Sequence, residues 1–231
     1  MKHKALTGLV VVGLAATLAA QSGTKGSKRV EEAAAVLNEL STVPDKDIPQ
    51  QLWTNAKCAI VIPGLKRGAL VVGGEYGKGI ASCRTAKDWS APVSFEIAKG
   101  SFGLQIGGEA VDLILLVMNE RGMDKIISNK VTLGTEATVA AGPVGRNAAA
   151  ATDGALHAEI LSYSRSRGLF AGINLSGGVL RPDPDGTKEL YGKEVSVADV
   201  LKSASVTPPP DTKVFVTALR RHDMAATTGR K

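Results

Sequence analysis

Residues that carry catalytic and metal chemistry are scarce in this sequence. The 231 residues include only two cysteines and three histidines, and aromatic side chains make up only 4%. There is no Cys-x-x-Cys pair, and no histidine pair that could complete a zinc site. The Gly-x-Ser-x-Gly segment that presents a hydrolase nucleophile is also missing. We therefore expect no metal and no cofactor.

His157 is the one histidine well inside the chain and the one candidate for a catalytic relay. Asp153 precedes it by four residues and Ser162 follows it by five. If this segment were helical, Asp153 and His157 would share one face. The alternative is a loop histidine paired with a carboxylate, which the missing nucleophile motif favours. We therefore assign no catalytic residue and expect that the protein is not an enzyme.

Two glycine-rich segments do not match nucleotide-binding loops. "GEYGKGIAS" at 74–82 lacks the third glycine of a dinucleotide-binding loop, and "PGLKRGALVVGG" at 63–74 lacks the Gly-Lys-Ser/Thr of a phosphate-binding loop. Both are better explained as β-hairpins. In the first hairpin along the chain, this interpretation places Lys66 and Arg67 at the tip.

Cys58 and Cys83 are the only thiols in the chain. In an oxidising compartment, two thiols on neighbouring strands could form a disulfide that closes a loop of about 25 residues and contributes about 3 kcal/mol. The alternative is a pair of buried, reduced cysteines that behave as small apolar side chains. The sequence leaves both alternatives open.

The first 22 residues have the pattern of a secretory signal peptide. Residues 2–4 are basic, and residues 5–20 carry no charge. This uncharged run is shorter than the ~20 residues that span a bilayer, and small residues suited to cleavage stand within 19–22. We therefore predict residues 1–22 as a cleaved signal peptide, the alternative being an uncleaved N-terminal anchor.

The predicted cleavage region also indicates how the protein is released. Gln21 occupies the position at which a bacterial lipoprotein has its acylated cysteine. Without a thiol there is nothing to acylate, so we predict a soluble periplasmic or secreted protein that is not a lipoprotein. A polar linker is expected over 23–27.

The net charge is mildly positive. The formal charge is +6, and removal of Lys2 and Lys4 would leave +4. This excess is too small to indicate a nucleic-acid partner. It is compatible with an anionic membrane surface, near which each basic residue contributes about 1 kcal/mol.

Hydrophobic periodicity predicts a helix at the start of the folded part. Ser27 can cap it, and Val30, Leu37 and Leu40 fall on one face of an amphipathic helix. This apolar face could pack on the core or insert into a membrane. A second short helix is predicted over 48–56.

The pattern then changes to strands and returns to helices near the end. Short runs rich in Val, Ile and Phe are broken by Gly or Pro. "AVDLILLVMN" at 110–119 is continuously apolar, which predicts a strand buried on both faces. The last helix is predicted to end at Arg221, before a flexible tail at 222–231. The fold class is α+β: an antiparallel-dominated sheet of many short strands, with an N-terminal amphipathic helix and C-terminal helices, in one domain at 28–221.

Basic residues recur at the predicted turns next to apolar strands. They could form a cationic face for phosphate groups, to which the arginine fork is suited. The alternative for each of them is ordinary solvation of a turn. The residues are Lys66, Arg67, Lys78, Arg84, Lys99, Arg146, Arg165, Arg167 and Arg181.

Four segments resemble the SYLF-domain family, and they occur in the family's order. They are "AKCAIVIPGLKRGALVVGGEYGKGIASCR", "WSAPVSFEIAKGSFGLQIGGEAVDLILLVMN", "LGTEATVAAGPVGRNAAAATD" and "ILSYSRSRGLFAGINLSGGVLRPD". The resemblance, which covers about residues 28–220, implies a lipid-binding domain found from bacterial envelope proteins to eukaryotic trafficking proteins. Some eukaryotic members also bind actin.

The resemblance implies binding of anionic phospholipids, of the phosphoinositide type in eukaryotic members, through basic residues and an amphipathic helix. Carried onto this chain, the headgroup contacts are Lys28, Arg29, Lys66, Arg67, Arg165 and Arg167. Catalytic residues and cofactors are not implied. We therefore expect reversible docking on an anionic membrane, with insertion of the helix face. The alternative is a protein-interaction module that binds actin, as the family label has it, or an envelope protein.

Overall fold

A computed structural model describes residues 24–40, 48–69, 72–102, 107–128, 130–145, 157–166, 169–203 and 206–228. The predicted signal peptide at 1–22 and Arg167 lie outside the described residues. The helices are α1 (Lys25–Leu40), α2 (Gln50–Asn55), α3 (Glu120–Ser128), α4 (Pro184–Tyr191), α5 (Val197–Lys202) and α6 (Lys213–Thr228), with a 3-10 turn at Pro210–Thr212.

The described residues form one nine-stranded sheet, in the order β5-β9-β3-β2-β1-β4-β7-β6, with β8 paired to β7. Among these strands β6 and β7 run parallel, and the other pairs are antiparallel. The predicted α+β class with an antiparallel-dominated sheet is confirmed. The strands are β1 (Cys58–Ala69), β2 (Val72–Cys83), β3 (Val93–Phe102), β4 (Gly107–Val117), β5 (Val131–Thr132), β6 (Val139–Ala141), β7 (Ile160–Ser166), β8 (Leu169–Gly172) and β9 (Val179–Pro182).

The first four strands are longer than predicted, at 10 to 12 residues each. The Pro-Gly pair that suggested a break in β1 forms a bulge, and the register shifts between Val61 and Lys66. Gly64 takes a positive φ of 59° there and donates its backbone N–H to Asp112 at 2.9 Å. The strand continues past the bulge because the bulge absorbs the irregular backbone.

Because of the bulge, two of the predicted site residues lie in a different place from the predicted one. Lys66 and Arg67 lie within β1, opposite Tyr76 and Glu75 of β2. The prediction that they stand at a hairpin tip is therefore wrong. Their side chains lie on opposite faces of the sheet, because successive residues of a strand alternate.

The core lies on both faces of the sheet. In β4, Ile114 and Leu116 belong to one buried cluster, and Leu113, Leu115 and Val117 belong to the other. The prediction of a strand buried on both faces is confirmed. Helices α1 and α6 cover the first face, and α3 and α5 cover the second.

The predicted apolar face of α1 is part of this core. Val30, Leu37 and Leu40 are 0% exposed and pack with α6 and the sheet. The helix begins earlier than predicted, at Lys25, where the Thr24 hydroxyl accepts the backbone N–H of Ser27. The expectation that this face inserts into a membrane is at odds with the folded state, because the same side chains already fill the core.

The C-terminal helix is longer than predicted. Helix α6 continues to Thr228, past Arg221, so residues 222–228 are helical rather than a tail. Helix α5 has a side-chain cap, since the Ser196 hydroxyl accepts the backbone N–H of Asp199 at 3.3 Å. The extra length of α6 brings His222 and Asp223 onto the rest of the molecule.

Cys58 and Cys83 are joined by a disulfide. They stand opposite each other where β1 begins and β2 ends, and both are 0% exposed. Of the two alternatives that the sequence left open, the structure has the bridged pair.

Candidate functional site

The sheet has two distinct ends. The disulfide lies at one end, which we call the disulfide end. At the other, the hairpin end, β1 finishes, β2 begins, β3 finishes and β4 begins. Strand β7 runs toward this end, because it is antiparallel to β4 and its Arg165 pairs with Asp112. Lys66, Arg67 and Arg165 are thus brought to the same end of the molecule.

Arg165 is held by two carboxylates. Its Nε donates to Asp112 at 2.8 Å, and its guanidinium also forms an ion pair with Glu39 of α1. Only 15% of the side chain is exposed, and Arg165 stacks near the Phe170 ring at 5.8 Å. This arrangement fastens α1 to the sheet, so the Arg165 charge is largely neutralised inside the protein.

Three other predicted basic residues have different surroundings. Arg67 forms an ion pair with Glu75 at 3.3 Å. Lys28, which is largely exposed, lies 3.8 Å from Glu32 one helical turn away. Arg29 is half-buried, and one of its terminal nitrogens is buried without a hydrogen-bond partner in the described residues.

Lys66 and Lys99 differ from these residues. Neither forms an ion pair within the described part of the chain. Lys66 is exposed on the face that α1 covers further along the sheet, and Lys99 is half-exposed on the opposite face of β3. Tyr76, the strand neighbour of Lys66, is 46% exposed and donates its hydroxyl to Glu96 at 2.9 Å.

A row of four glycines crosses the sheet at the hairpin end. Gly108, Gly68, Gly74 and Gly100 are register partners on β4, β1, β2 and β3. A Cβ added at Gly68 or Gly100 would meet no atom of the described residues within 4 Å, and neither glycine has a positive φ. Neither packing nor backbone conformation in the described residues requires glycine at these two positions. The sequence shows the glycines, but only the strand pairing aligns them.

The relay considered for His157 is not formed by the described residues. His157 is exposed, and Asp153 lies outside the described part of the chain. The Ser162 hydroxyl is 0% exposed and lies 2.6 Å from the Ile173 carbonyl oxygen and 3.1 Å from that of Ala140. Its hydroxyl is thus used to join neighbouring strands.

A polar cluster at the disulfide end was missed by the sequence interpretation. His222 stacks on Trp53 with ring centroids 4.5 Å apart, and its Nε2 lies 2.9 Å from the Leu37 carbonyl oxygen. Asp223 accepts hydrogen bonds from Arg84 at 2.9 Å and from the Trp89 ring N–H at 2.7 Å. These contacts hold α6 to the sheet. Because the partners are more than 130 residues apart in sequence, no local pattern could indicate them.

In the described ranges, no group of three His, Cys, Asp or Glu side chains is placed to hold a metal ion. Among the helices that these ranges form, none has the length and the apolar composition needed to cross a bilayer.

Fold and surface together define an α+β domain with a two-sided core and an exposed end of the sheet. The family described as Ysc84, Las17-binding protein actin regulator, matches residues 98–222, from β3 to α6. The chain belongs to this family, and the resemblance to the SYLF-domain family is confirmed.

Relatives in animals and yeast share most of this domain. SH3 domain-containing YSC84-like protein 1 of Rattus norvegicus is 34% identical over 178 residues, and that of Homo sapiens is 33% identical over the same length. These alignments cover 74% of this chain and 52% of each relative. LAS seventeen-binding protein 3 of Saccharomyces cerevisiae is 33% identical over 172 residues, which is 72% of this chain and 37% of that protein. The chain therefore spans about half of the animal relatives and less of the yeast one.

Proposed function

We propose that this domain is a module that binds a protein partner. The observation that carries the proposal is the family match over residues 98–222, because that family is described as Las17-binding and as an actin regulator. The shared domain is one part of each longer relative. It is therefore a candidate for the part that carries out the binding stated in the relatives' names. The proposal includes the absence of catalytic activity.

Co-sedimentation of the purified chain with actin filaments tests this proposal, with purified Las17 as a second probe. We expect saturable binding to at least one of the two in the absence of lipid. If the chain is exported, its own partner is an envelope protein, and these probes then test the binding surface that the family shares. Failure to bind either probe would remove the support that the relatives' names give.

A second candidate function is reversible docking on anionic phospholipid, including phosphoinositide-type headgroups. Lys66 and Lys99 favour it, because they are basic residues at the hairpin end without an ion pair in the described part of the chain. The resemblance also indicated Lys28, Arg29, Arg67, Arg165 and Arg167 as headgroup contacts. Since Arg165 and Arg67 already face carboxylates, we propose that Lys66 and Lys99 carry most of the electrostatic attraction.

Vesicle co-sedimentation at two salt concentrations tests the second candidate. We expect binding to vesicles with about 30% phosphatidylglycerol, because anionic lipid gives the vesicle a negative surface potential that attracts basic residues. Binding should weaken when the salt concentration is raised. Lys66→Glu with Lys99→Glu should abolish this binding. The matched control is Lys87→Glu with Lys193→Glu. It replaces two other exposed lysines and changes the total charge by the same amount. Equal losses in both double variants would contradict a local contact.

We also propose export. The disulfide supports it, because such bonds persist mainly in oxidising compartments, and the predicted signal peptide at 1–22 supplies the route. The test is the intact mass of the protein recovered from the producing cell's envelope or medium. Cleavage within 19–22 is the expected result, and recovery of the full-length chain from the cytoplasm would contradict it.

A further inference from the structure

The sheet surface beside α1 forms a recessed shelf. Helix α1 crosses the sheet, since its Gly26 N–H donates to Glu189 of α4, which packs against β3, and its Glu39 pairs with Arg165 of β7. We call the uncovered surface between α1 and the hairpin end the α1 shelf, with α1 as its wall. The floor of the shelf is one row of register partners on β3, β2, β1 and β4, namely Ala98, Tyr76, Lys66 and Ala110.

The floor of the α1 shelf is flat and open. Ala98 and Ala110 are small and exposed. Two neighbouring surface cavities, of about 530 and 500 Å³, both have Lys66 in their lining. The second cavity extends to Ala35 and Val36 of α1. It therefore lies in the angle between the helix and the sheet, where a narrow ligand can contact both.

The carboxylates that border this angle already face basic partners. Glu32 of α1 lies 3.8 Å from Lys28, one helical turn away. Asp112 and Glu39 both hold Arg165. A ligand on the shelf would therefore meet none of these three carboxylates without a partner.

Two basic groups on the same shelf are not paired in this way. Lys66 is exposed and forms no ion pair within the described part of the chain. Arg29 precedes Glu32 by three residues and Val36 by seven, which places it on the shelf side of α1. One of its terminal nitrogens is buried with no hydrogen-bond partner in the described residues. Because a buried donor without a partner is costly, carboxylates supplied by a ligand would stabilise both groups.

The recessed shape favours a chain segment over a membrane. Helix α1 stands about 10 Å, one helix diameter, above the sheet, so a flat bilayer resting on this face would meet the helix before the floor. The four strands of the floor span about 14 Å, the length of about four extended residues. Tyr76, which is 46% exposed, offers a ring against which an alternate side chain of an extended segment can pack.

We propose that the α1 shelf binds an extended acidic segment of a protein partner, whose carboxylates pair with Lys66 and Arg29. This inference rests on the proposed protein-binding function and gives it a location and a chemistry. The segment lies along α1, across the strands, in the angle that the two cavities occupy.

Fluorescence anisotropy with labelled peptides tests the chemistry. The probe is a peptide of alternating Glu and Ala, about eight residues long and thus long enough to cross the floor. The comparison peptide has Lys in place of Glu. We expect the acidic peptide to bind at least about tenfold more tightly than the basic one, and to bind more weakly as salt is added. Equal affinity for the two peptides would overturn the proposal.

Charge reversals test the location. Lys66→Glu should weaken binding of the acidic peptide at least about tenfold, because a carboxylate would then face the carboxylates of the peptide. Lys99→Glu is the matched control, since it makes the same charge change one row away on the opposite face of the sheet. It should bind within about twofold of the wild type, because it lies outside the shelf. Equal losses would show a general electrostatic attraction and would overturn the shelf as the site.

A bulky side chain on the floor tests the shelf without changing its charge. Ala110 is exposed and lines the larger cavity, so Ala110→Trp should fold normally and weaken peptide binding as strongly as Lys66→Glu does. Ala171→Trp is the control, because Ala171 is an exposed strand alanine on the opposite face of the sheet. Normal peptide binding by Ala110→Trp would contradict an occupant on the floor.

The failures of the two proposals are distinguishable. If the wild type binds actin filaments or Las17 and does not prefer the acidic peptide, the protein-binding function stands and this inference falls. If it binds the acidic peptide on the shelf and neither protein probe, the inference stands and the relatives' partners are excluded for this chain. If Lys66→Glu and Ala110→Trp lose binding to vesicles and keep binding to the peptide, the shelf is a lipid contact and the inference is wrong.

Discussion

His222 makes stability sensitive to acid at the scale of a single side chain. Burial against Trp53 lowers its pKa below the ordinary value of 6.5. A lowered folded-state pKa means that the unfolded chain binds the proton more readily. The stability that the neutral ring contributes is therefore fully present above about pH 6.5, and it is lost as the pH falls through the lower folded pKa.

We expect His222→Gln to lose less stability than the wild type when the pH is lowered from 7.5 to 5. Thermal unfolding at several pH values measures this difference. His157→Gln is the control, because His157 is exposed, and its pH dependence should match that of the wild type. If His222→Gln follows the same curve, the buried ring is not the acid-sensitive group.

Two glycines of the β1–β2 hairpin should have different effects on the stability of the protein when each is replaced by alanine. At Gly79 an added Cβ would lie 2.1 Å from the Val61 carbonyl oxygen and 2.6 Å from Ile62 Cγ1. Gly79→Ala should therefore destabilise the protein by about 3 kcal/mol. Gly68→Ala should be neutral or stabilise it by about 0.5 kcal/mol, since a strand glycine has more conformational freedom to lose. Urea unfolding compares the two variants, and equal losses would contradict the open space at Gly68.

At the scale of elements, Arg165 is the link between α1 and the sheet. Its removal leaves the Asp112 carboxylate half-buried, with the Gly64 N–H as its one remaining hydrogen-bond partner in the described part of the chain. We expect Arg165→Ala to destabilise the protein by about 2 kcal/mol. Lys28→Ala, at an exposed residue on the same helix, should change stability by less than about 0.5 kcal/mol. A change at Arg165 as small as that at Lys28 would show that α1 does not depend on this ion pair.

Elements that the sequence predicted well are those with a strong local pattern. The apolar face of α1 and the continuously apolar β4 were predicted correctly because the spacing of their apolar residues alone indicates which side chains are buried. Lys66 was misplaced because Pro63 and Gly64 indicate a turn locally, whereas pairing on both sides keeps β1 going through a bulge. Similarly, α6 continues past its predicted end because Asp223 has two partners, Arg84 and Trp89, in the distant connection between β2 and β3.

At the scale of the whole molecule, the disulfide contributes to stability through the unfolded chain. The bond closes a loop with a sequence separation of 25 residues, for which loop entropy predicts about 3 kcal/mol. We expect Cys58→Ala with Cys83→Ala to lower the free energy of unfolding by about that amount while the fold is retained. Urea unfolding and circular dichroism measure the two effects, and an unchanged midpoint would contradict a bond formed in the native protein.

The candidate site depends on relations that only the whole fold supplies. The sequence identified Lys66, Arg67 and Arg165 as basic positions, but it could not show that carboxylates already hold Arg67 and Arg165. The glycines of the four long strands are visible in the sequence. The alignment of Gly108, Gly68, Gly74 and Gly100 in one row follows from the pairing of those four strands.

The disulfide has a second consequence, for the alignment of the hairpin rather than for its stability. Strand β2 contains four glycines within residues 72–79, and glycine-rich strands specify their alignment weakly. A slip by one residue would transfer every side chain of β2 to the other face. The covalent bond between Cys58 and Cys83 fixes the pairing of β1 with β2 at the disulfide end and so prevents this slip. Formation of the disulfide therefore determines the face of the sheet on which Tyr76 lies, toward the other end of β2.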